Sequence, residues 1–472
     1  MFNRILVANR GECAIRIIRA CKELGIEAVA IFSEADTHAL HVKKADQAVL
    51  IGPDPVKSYL NIHRLIDIAL KAECDAVHPG YGFLSENPDF AREVERAGLC
   101  YIGPSPRAIE DMGLKTRARA SMIAAGVPVI PGSEAPLVDE QDALTQAQTM
   151  GYPVMLKAAA GGGGRGIRRC DNDDELRENY VITRREAMAA FGSDELFMEK
   201  CIVEPHHIEF QILADKHGHC VHLFERDCSI QRRNQKLIEI APSSYLTPEL
   251  RQSMGEIAIK AAKAVDYVNA GTVEFLVDKD HQFYFMEMNT RLQVEHTITE
   301  AITGVDIVAQ QIAIAAGLPL PFTQDDLDHK GFAIEFRINA EDPKNNFLPI
   351  PGRITRYHSA GGPGVRVDGC VYAGYEIPPH YDSMCAKLTV WGPDWRHAVA
   401  RAKRALGEYD IRGVPTTLPF YRHVAASDAF LGGEFNTGFL LENPEMLEFA
   451  AEKRPENIAA AVALAIASYA GL

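Results

Sequence analysis

The sequence lacks the patterns that mark several large classes of protein. Its ten cysteines include no pair at CxxC spacing, and its sixteen histidines form neither an HxxxH nor an HExxH pattern. A disulfide framework and a zinc site are therefore not expected, and a reducing compartment fits best. The motifs GxSxG and GxxxxGK[ST] are also absent, which argues against a hydrolase nucleophile elbow and a P-loop nucleotide site.

Clustered basic charge and long apolar runs are lacking as well. The net charge is −15 and the basic residues are scattered, which argues against a nucleic-acid partner, because phosphate backbones are bound by clustered Lys and Arg. The longest apolar stretch, residues 458–472, is shorter than the ~20 residues that cross a bilayer. A strand-like run begins at Arg4, which leaves no room for a targeting segment. We therefore expect a cytoplasmic protein with no membrane partner.

The patterns that are present predict an α/β region followed by an α+β region. The 472 residues suffice for two or three domains. Through the first hundred residues, short apolar runs such as 4–8 and 27–33 alternate with helical patterns, which predicts a parallel α/β domain. From His207 onward, alternating strands predict an antiparallel or mixed sheet. The Ala-rich segment after Pro455 is predicted to be a helix appended to a finished domain.

A glycine-rich loop, residues 161–166, lies between two predicted strands. It contains a GxGxxG spacing, but residues 167–170 are predicted to form a strand rather than a helix, so the dinucleotide-binding pattern does not fit. A hairpin tip that folds over nucleotide phosphates fits better, because backbone amides approach phosphate where no Cβ intervenes. Lys157, just before the loop, would add a positive charge. A plain surface hairpin is the alternative.

Two acidic residues on adjacent predicted strands indicate a cation site. If the turn between the strands is centred on residues 280–281, Glu274 lies directly opposite Glu287. Like charges in that position repel, unless a cation lies between them. With the amide oxygen of Asn289, these carboxylates form an oxygen set that suits Mg²⁺ bound to phosphates. A solvated strand face is the alternative.

Three further segments contain candidate site residues. Just beyond Asn289, the trio Arg291, Gln293 and Glu295 supplies a cation, an amide and a carboxylate at alternate positions, which could hold a small oxyanion and accept its proton. Residues 231–236 form a cationic patch that could be functional or a solvated loop. Residues 78–87 follow the fourth predicted strand, where a parallel sheet binds ligands, although their glycines could simply form turns.

Taken together, these motifs resemble the biotin carboxylase branch of the ATP-grasp superfamily, over about residues 4 to 442. The resemblance is carried by six segments: residues 8–16, residues 78–87, Lys157 with its glycine loop, residues 226–233, residues 287–296 and residues 337–342. It implies an ATP-grasp fold of mixed α/β and α+β class. The parts implied are a pre-ATP-grasp α/β domain at 1–113, an ATP-binding domain at 114–325 with a mobile lid at about 130–202, a C-terminal antiparallel-sheet domain at 330–445, and a helical tail at 446–472.

By the same resemblance, the ligands are ATP, Mg²⁺ or Mn²⁺, bicarbonate and biotin. Glu295 would be the general base, Arg337 would steady the biotin enolate, and Lys236 would neutralise phosphate charge. Arg291, Gln293 and Val294 would seat bicarbonate, and the metal would be held by Glu274, Glu287 and Asn289. The residues implied to bind ATP are Lys115, Lys157, Gly161, Gly162, Gly163, Gly164, Gly166, Glu199, Lys200, Ile202, His207, Gln231 and Asn234.

The resemblance also implies partners and leaves some alternatives open. The sequence has no Met-Lys-Met biotinylation site, so biotin is expected on a separate carrier protein, with a separate carboxyltransferase subunit and a homodimeric carboxylase. The acyl acceptor stays open among pyruvate, another 2-oxo acid and an acyl-CoA. The tail beyond Pro455 is either a docking helix or a helix packed on its own domain. Four positions depart from the common pattern: Ala160, Asn234, Ile240 and Thr297.

Another ATP-grasp ligase, with a different acceptor, is the nearest competing interpretation. It would share the paired carboxylates and the glycine loop, but the set Arg291, Gln293, Glu295 and Arg337 argues against it. A nicotinamide-dependent dehydrogenase is disfavoured by the strand that follows the glycine loop. A non-catalytic nucleotide-binding scaffold is disfavoured because every proposed catalytic position is occupied.

Overall fold

A computed structural model describes the chain except for residues 134, 160–165, 450–454 and 471–472. Its first region is a five-stranded parallel sheet in the order β3-β2-β1-β4-β5. The predicted parallel α/β region is confirmed, with strand ends that differ by at most two residues. The elements are β1 (Arg4–Val7), α1 (Gly11–Glu23), β2 (Glu27–Ser33), α2 (Leu40–Lys44), β3 (Gln47–Gly52), α3 (Pro55–Tyr59), α4 (Ile62–Lys71), β4 (Ala76–His78), α5 (Pro88–Arg96) and β5 (Cys100–Tyr101).

The second region begins with two helices and a small sheet. The helical pattern of the sequence predicts one helix over residues 108–125, but the backbone is extended at Leu114 and separates two helices. Strands β7, β6 and β8 form an antiparallel sheet, and the predicted strands on either side of the glycine loop are confirmed. The elements are α6 (Pro106–Gly113), α7 (Lys115–Ala124), α8 (Glu140–Met150), β6 (Val154–Ala158), β7 (Ile167–Cys170), α9 (Asp173–Phe191) and β8 (Leu196–Lys200).

An eight-stranded antiparallel sheet organises the rest of the chain, in the order β13-β12-β9-β10-β11-β14-β21-β19, where β14 is Phe332–Asn339, β19 is Val365–Gly369 and β21 is Met384–Gly392. Because β11 pairs with β14, the sheet is continuous across the predicted boundary at residues 325–330, and the domain division stays a prediction. Its first elements are β9 (His206–Ala214), β10 (Cys220–Arg232), β11 (Gln235–Ala241), α10 (Pro248–Lys263), β12 (Asn269–Val277), β13 (Phe283–Asn289), α11 (His296–Thr303) and α12 (Ile307–Ala315).

The C-terminal elements complete this sheet and cover it. Helices α13 and α14 pack with β14 and β21 in one apolar core, which includes Phe336, Leu388 and Phe420. In the described residues no single helix is long and apolar enough to cross a membrane. The elements are β14 (Phe332–Asn339), β15 (Glu341–Asp342), β16 (Leu348–Pro349), β17 (Gly352–Arg353), β18 (Arg356–His358), β19 (Val365–Gly369), β20 (Glu376–Ile377), β21 (Met384–Gly392), α13 (Trp395–Glu408), β22 (Asp410–Arg412), α14 (Leu418–Ala426), α15 (Asp428–Gly432), α16 (Phe439–Glu442) and α17 (Pro455–Ala470).

Candidate active site

The hairpin formed by β12 and β13 places two carboxylates side by side. Glu274 pairs with Glu287 in the antiparallel register, as predicted. The reason differs in part from the prediction, because the pairs nearest the turn, such as Phe275 with Phe285, centre the turn on Asp280 alone. A β-bulge between Glu274 and Phe275 then shifts the register by one residue. Bulges of this kind re-aim side chains, and this one brings the two acids together.

Glu274 lies in a dense set of hydrogen-bond donors. Its carboxylate accepts from His207 Nε2 at 2.9 Å and Lys236 Nζ at 3.0 Å. The side-chain amides of Asn289 and Gln293 donate to it at 2.7 and 3.2 Å. Burial alone would raise the pKa of Glu274, but Lys236 and His207 hold it well below its usual value. This carboxylate is therefore ionised throughout the physiological range.

Glu287 has the opposite environment. Removal from water raises the pKa of its carboxyl, and the charge of Glu274 raises it further, while Lys115 and Lys236 oppose this increase. Among the residues that the structure describes, none donates a hydrogen bond to this carboxylate. Two adjacent carboxylates, one of which accepts no hydrogen bond from the described residues, are suited to bind a hard divalent cation. The donor set predicted for Mg²⁺ is thus compatible with the structure, although the Oδ1 of Asn289 now accepts from Arg291 at 2.9 Å.

Lys236, at the start of β11, connects the paired acids to the predicted base. Its ammonium donates to Glu209 at 2.5 Å, to Glu274 at 3.0 Å and to Glu295 at 2.8 Å. Three carboxylates around one ammonium leave it no free donor, because a lysine has three N–H groups. Any new anion that binds Lys236 must displace one of these carboxylates.

Glu295 is fully buried between two cations. Its second oxygen accepts from Arg337 Nη2 at 2.9 Å. Burial alone would raise the pKa of Glu295, but Lys236 and Arg337 hold it below its usual value. Arg337 also donates to Glu239 at 2.6 Å, and burial raises the pKa of Glu239 to about 7. Arg337 therefore has two carboxylate partners, one of which titrates near neutrality.

Arg291 joins the predicted oxyanion trio to the N-terminal region. Its guanidinium donates to the side-chain oxygen of Gln293 at 2.7 Å and to Glu86 at 3.1 Å. The segment 78–87, which the sequence left between a site and a set of turns, therefore reaches this cluster through Glu86. The carbonyl of Val294 accepts from Lys387 at 2.7 Å, and this hydrogen bond holds the backbone between Gln293 and Glu295 in place.

The cationic patch at residues 231–236 contains the turn between β10 and β11 and the strand residues on either side of it. Arg233 and Asn234 both have positive φ, at 50° and 63°, which is the turn geometry that asparagine tolerates well. Gln231 donates to His207 Nδ1 at 2.7 Å, which leaves the Nε2 hydrogen of His207 for Glu274. Another departure from the common pattern, Ile240, is buried in the apolar core and contributes no polar group to this site.

The residues predicted to bind ATP near the small sheet are brought together in part. Lys157 and Glu199, on β6 and β8, form an ion pair. Burial and the nearby charge of Lys157 lower the pKa of Lys115, which begins α7. Lys200 instead donates to the carbonyls of Gly151 and Tyr152. Ile202 follows β8 and Gly166 precedes β7 with a positive φ of 68°, whereas Gly161, Gly162, Gly163 and Gly164 lie outside the described residues.

Two buried residues of the cluster were missed by the sequence analysis. Glu209 is wholly buried and accepts from both Lys236 and Arg226, each at 2.5 Å. Arg226 is also wholly buried and donates to Gln211, Thr272 and Thr299, at 2.7 to 3.0 Å. A signal was present on β9, where His207, Glu209 and Gln211 alternate along one strand and so share one face.

Lys387 and its neighbours were also missed. This lysine is wholly buried on β21 and lies 3.2 Å from Glu12 on α1. Burial raises the pKa of Glu12 to about 7. Thr297, another departure from the common pattern, donates to Glu335 and hydrogen-bonds Thr389 at 2.7 Å. A buried polar layer therefore supports the segment that carries Val294 and Glu295.

Comparison with known proteins gives matches along the chain. Models described as "Biotin carboxylase, N-terminal domain", "Carbamoyl-phosphate synthase L chain, ATP binding domain" and "Biotin carboxylase C-terminal domain" match residues 1–109, 115–323 and 335–442. The 2-oxoglutarate carboxylase small subunit of Hydrogenobacter thermophilus is 53% identical over 472 residues, which is 100% of both chains. Biotin carboxylase 1 of Bacillus subtilis is 52% identical over 442 residues, or 93% of this chain and 98% of that relative.

Solved structures agree with these matches. The biotin carboxylase domain dimer of the Hydrogenobacter thermophilus 2-oxoglutarate carboxylase, in complex with MgADP and bicarbonate, aligns with a TM-score of 0.93 and 53% identity. It covers 96% of this chain, which in turn covers 100% of it. The β-γ-ATP complex of a biotin carboxylase from Campylobacter jejuni aligns with a TM-score of 0.91 and 47% identity, over 94% of this chain and 99% of that one.

Proposed function

This chain belongs to the biotin carboxylase family, and we propose that the buried cluster around Lys236 is where it carboxylates biotin with bicarbonate and ATP. The protein is an ATP-grasp enzyme of mixed α/β fold. The observation that carries the site assignment is Lys236 itself, because one ammonium contacts both Glu274 of the paired acids and Glu295 of the oxyanion trio. Nucleotide phosphates held at the first would lie next to bicarbonate held at the second.

Glu274, Glu287 and Asn289 would hold the metal ion. Bound there, Mg²⁺ would neutralise charge on the ATP phosphates and support the transfer of the terminal phosphoryl group. Lys115 and Lys157 add positive charge from the small sheet. The glycine loop, residues 161–166, together with Glu199, Lys200, Ile202, His207, Gln231 and Asn234, stays assigned to ATP binding by family resemblance.

Arg291, Gln293 and Val294 would seat bicarbonate, and Glu295 would accept its proton. A carboxylate between two cations is a weak base, so Glu295 requires activation. Lys236 provides it, because phosphate charge that attracts this ammonium removes one of the two cations that lower the pKa of Glu295. In this proposal, Glu295 becomes basic only once ATP has bound, which is when bicarbonate must lose its proton to accept the phosphoryl group.

The reaction then has two stages, phosphoryl transfer to bicarbonate and carboxylation of biotin. In the first stage a bicarbonate oxygen attacks the γ-phosphorus of ATP, the bond from that phosphorus to the β-γ bridging oxygen breaks, and ADP and carboxyphosphate result. Carboxyphosphate decomposes to CO₂ and phosphate, and phosphate takes the proton from the ureido nitrogen of biotin, which then attacks CO₂. Arg337, placed beside Glu295, pairs with the enolate oxygen of biotin in a charge-assisted contact. The buried setting limits hydrolysis of the intermediate by water.

The enzyme would act within a complex, as a homodimer that receives biotin on a separate carrier protein and serves a separate carboxyltransferase. A relative that matches the whole chain is named a small subunit, and a solved relative is a dimer. Relatives of 53% and 54% identity are named for 2-oxoglutarate and for pyruvate, so we assign the choice of acyl acceptor to the partner subunit. All ten cysteines are free thiols, which fits the cytoplasm.

Phosphate release by the purified chain tests this proposal. Release should require Mg²⁺ and bicarbonate and should be stimulated by free biotin. Glu295→Gln should lower the bicarbonate-dependent rate by about 10²- to 10⁴-fold, as for loss of a general base. Arg337→Ala should abolish stimulation by biotin, whereas Arg353→Ala, at an exposed arginine of the C-terminal region, should not. Full biotin stimulation in Arg337→Ala would contradict the assignment.

A further inference from the structure

The last helix of the chain, α17, is apolar and exposed. It spans Pro455–Ala470, and no charged side chain occurs between Asn457 and Leu472. The exposed fractions of Val462, Leu464 and Ile466 are 52%, 71% and 62%, and that of Tyr469 is 97%. A helix of this composition is stable in water only when its apolar surface is covered by another element.

The large side chains of α17 are not evenly spread around it. Val462, Ile466 and Tyr469 are spaced i, i+4 and i+7, so they lie along one face. Leu464 lies on the opposite face, and most other positions are alanine, which permits close approach of another backbone. Anchors at this spacing are the pattern of a helix that binds in an apolar groove.

The pattern of matches indicates which protein supplies the groove. The C-terminal family model ends at residue 442, and the Bacillus subtilis biotin carboxylase, which is itself covered to 98%, matches only 442 residues. A relative that matches all 472 residues, and thus includes a counterpart of α17, is named as the small subunit of a carboxylase. A counterpart of α17 is thus present in a relative named as a subunit, and a biotin carboxylase as such does not require it.

We infer that α17 is the docking helix for the separate carboxyltransferase subunit, and that Val462, Ile466 and Tyr469 enter an apolar groove on that subunit. The inference rests on the proposed function only in assuming that such a subunit exists. Tethering through α17 would keep the carboxyltransferase near the site around Lys236, because linked modules meet at a high effective concentration.

The test uses the full chain and the carboxyltransferase subunit from the same organism. The two should coelute in size-exclusion chromatography, and deletion of residues 455–472 should abolish coelution. Val462→Ala, Ile466→Ala and Tyr469→Ala should each weaken binding, about thirtyfold or more if they are central anchors. Leu464→Ala, on the opposite face, is the matched control and should bind within about threefold of the wild type. Alanine at each position preserves the helix.

The outcomes separate this inference from the proposed function. Phosphate release stimulated by free biotin should be the same in the full and truncated chains, since α17 contributes nothing to the site. Unchanged coelution after truncation would overturn the inference. So would a truncated chain that loses its own dimeric state, or a full chain that binds phosphatidylglycerol vesicles through α17. Absence of biotin-stimulated turnover in both chains would contradict the proposed function, while the binding data would still decide the role of α17.

Discussion

Replacement of Glu209 by glutamine gives a sharp test of the buried charge cluster. Glu209 and Arg226 are both wholly buried, with 2.5 Å between Glu209 Oε1 and Arg226 Nε. Removal of one partner from a buried pair costs about 3–5 kcal/mol, because the other charge stays desolvated. Glutamine retains one acceptor oxygen, and Gln211, Thr272 and Thr299 still accept from Arg226. We therefore expect the free energy of unfolding to fall by an amount near the lower limit of this range, about 3 kcal/mol.

Urea unfolding, followed by tryptophan fluorescence and by circular dichroism, measures this loss. The midpoint should fall in Glu209→Gln with little change in slope, whereas Glu178→Gln, at an exposed position on α9, should behave as the wild type. The same substitution also removes one of the three carboxylate partners of Lys236. A Glu209→Gln protein with unchanged stability, to within about 0.5 kcal/mol, would show that the pair does not hold buried charge as described.

Three further predictions follow from individual contacts. Glu274→Gln should raise the Mg²⁺ concentration needed for half-maximal phosphate release by at least about tenfold, and an unchanged requirement would exclude Glu274 as a ligand. Lys387→Met removes the donor to the Val294 carbonyl, so the KM for bicarbonate should rise more than kcat falls in steady-state assays, and a pure kcat effect would contradict this positioning role. Burial lowers the pKa of His78 to about 3, so the folded state keeps it neutral while the unfolded state binds a proton below pH 6.5. The free energy of unfolding is therefore unaffected by protonation of His78 above pH 6.5 and falls on acidification. Between pH 6.5 and pH 4 the wild type should lose about 3 kcal/mol that His78→Asn does not lose, as measured by urea unfolding at each pH.

Local patterns in the sequence predicted those parts of the site that lie on one hairpin. Glu274 and Glu287 are separated by a single turn, so the alternation of the two strands was enough to pair them. The bulge beside Glu274 was not predicted, because a one-residue shift changes neither the composition nor the apolar pattern of the strands. The pair was predicted correctly because the assumed turn and the real turn with its bulge lead to the same register.

The parts that were missed depend on contacts between distant segments. Lys387 reaches Val294 only because β14 and β21 extend the sheet beyond β11, and nothing in the segment around Lys387 indicates that neighbour. In the sequence, Glu209 is one polar residue among several on β9. Its role in the site comes from its ion pairs with Arg226 and Lys236, which lie on other strands. The break at Leu114 was hidden because helical patterns continue on both sides of it.

The direct test of the central claim follows an oxygen atom. If bicarbonate held beside Lys236 attacks ATP, one oxygen of each bicarbonate is transferred to phosphate when carboxyphosphate decomposes. Turnover with ¹⁸O-labelled bicarbonate, Mg²⁺, ATP and free biotin should therefore yield phosphate that contains one ¹⁸O atom, seen by ³¹P NMR or mass spectrometry. Phosphate without label, released at the same rate, would show that water attacks ATP and would contradict the assignment of this site.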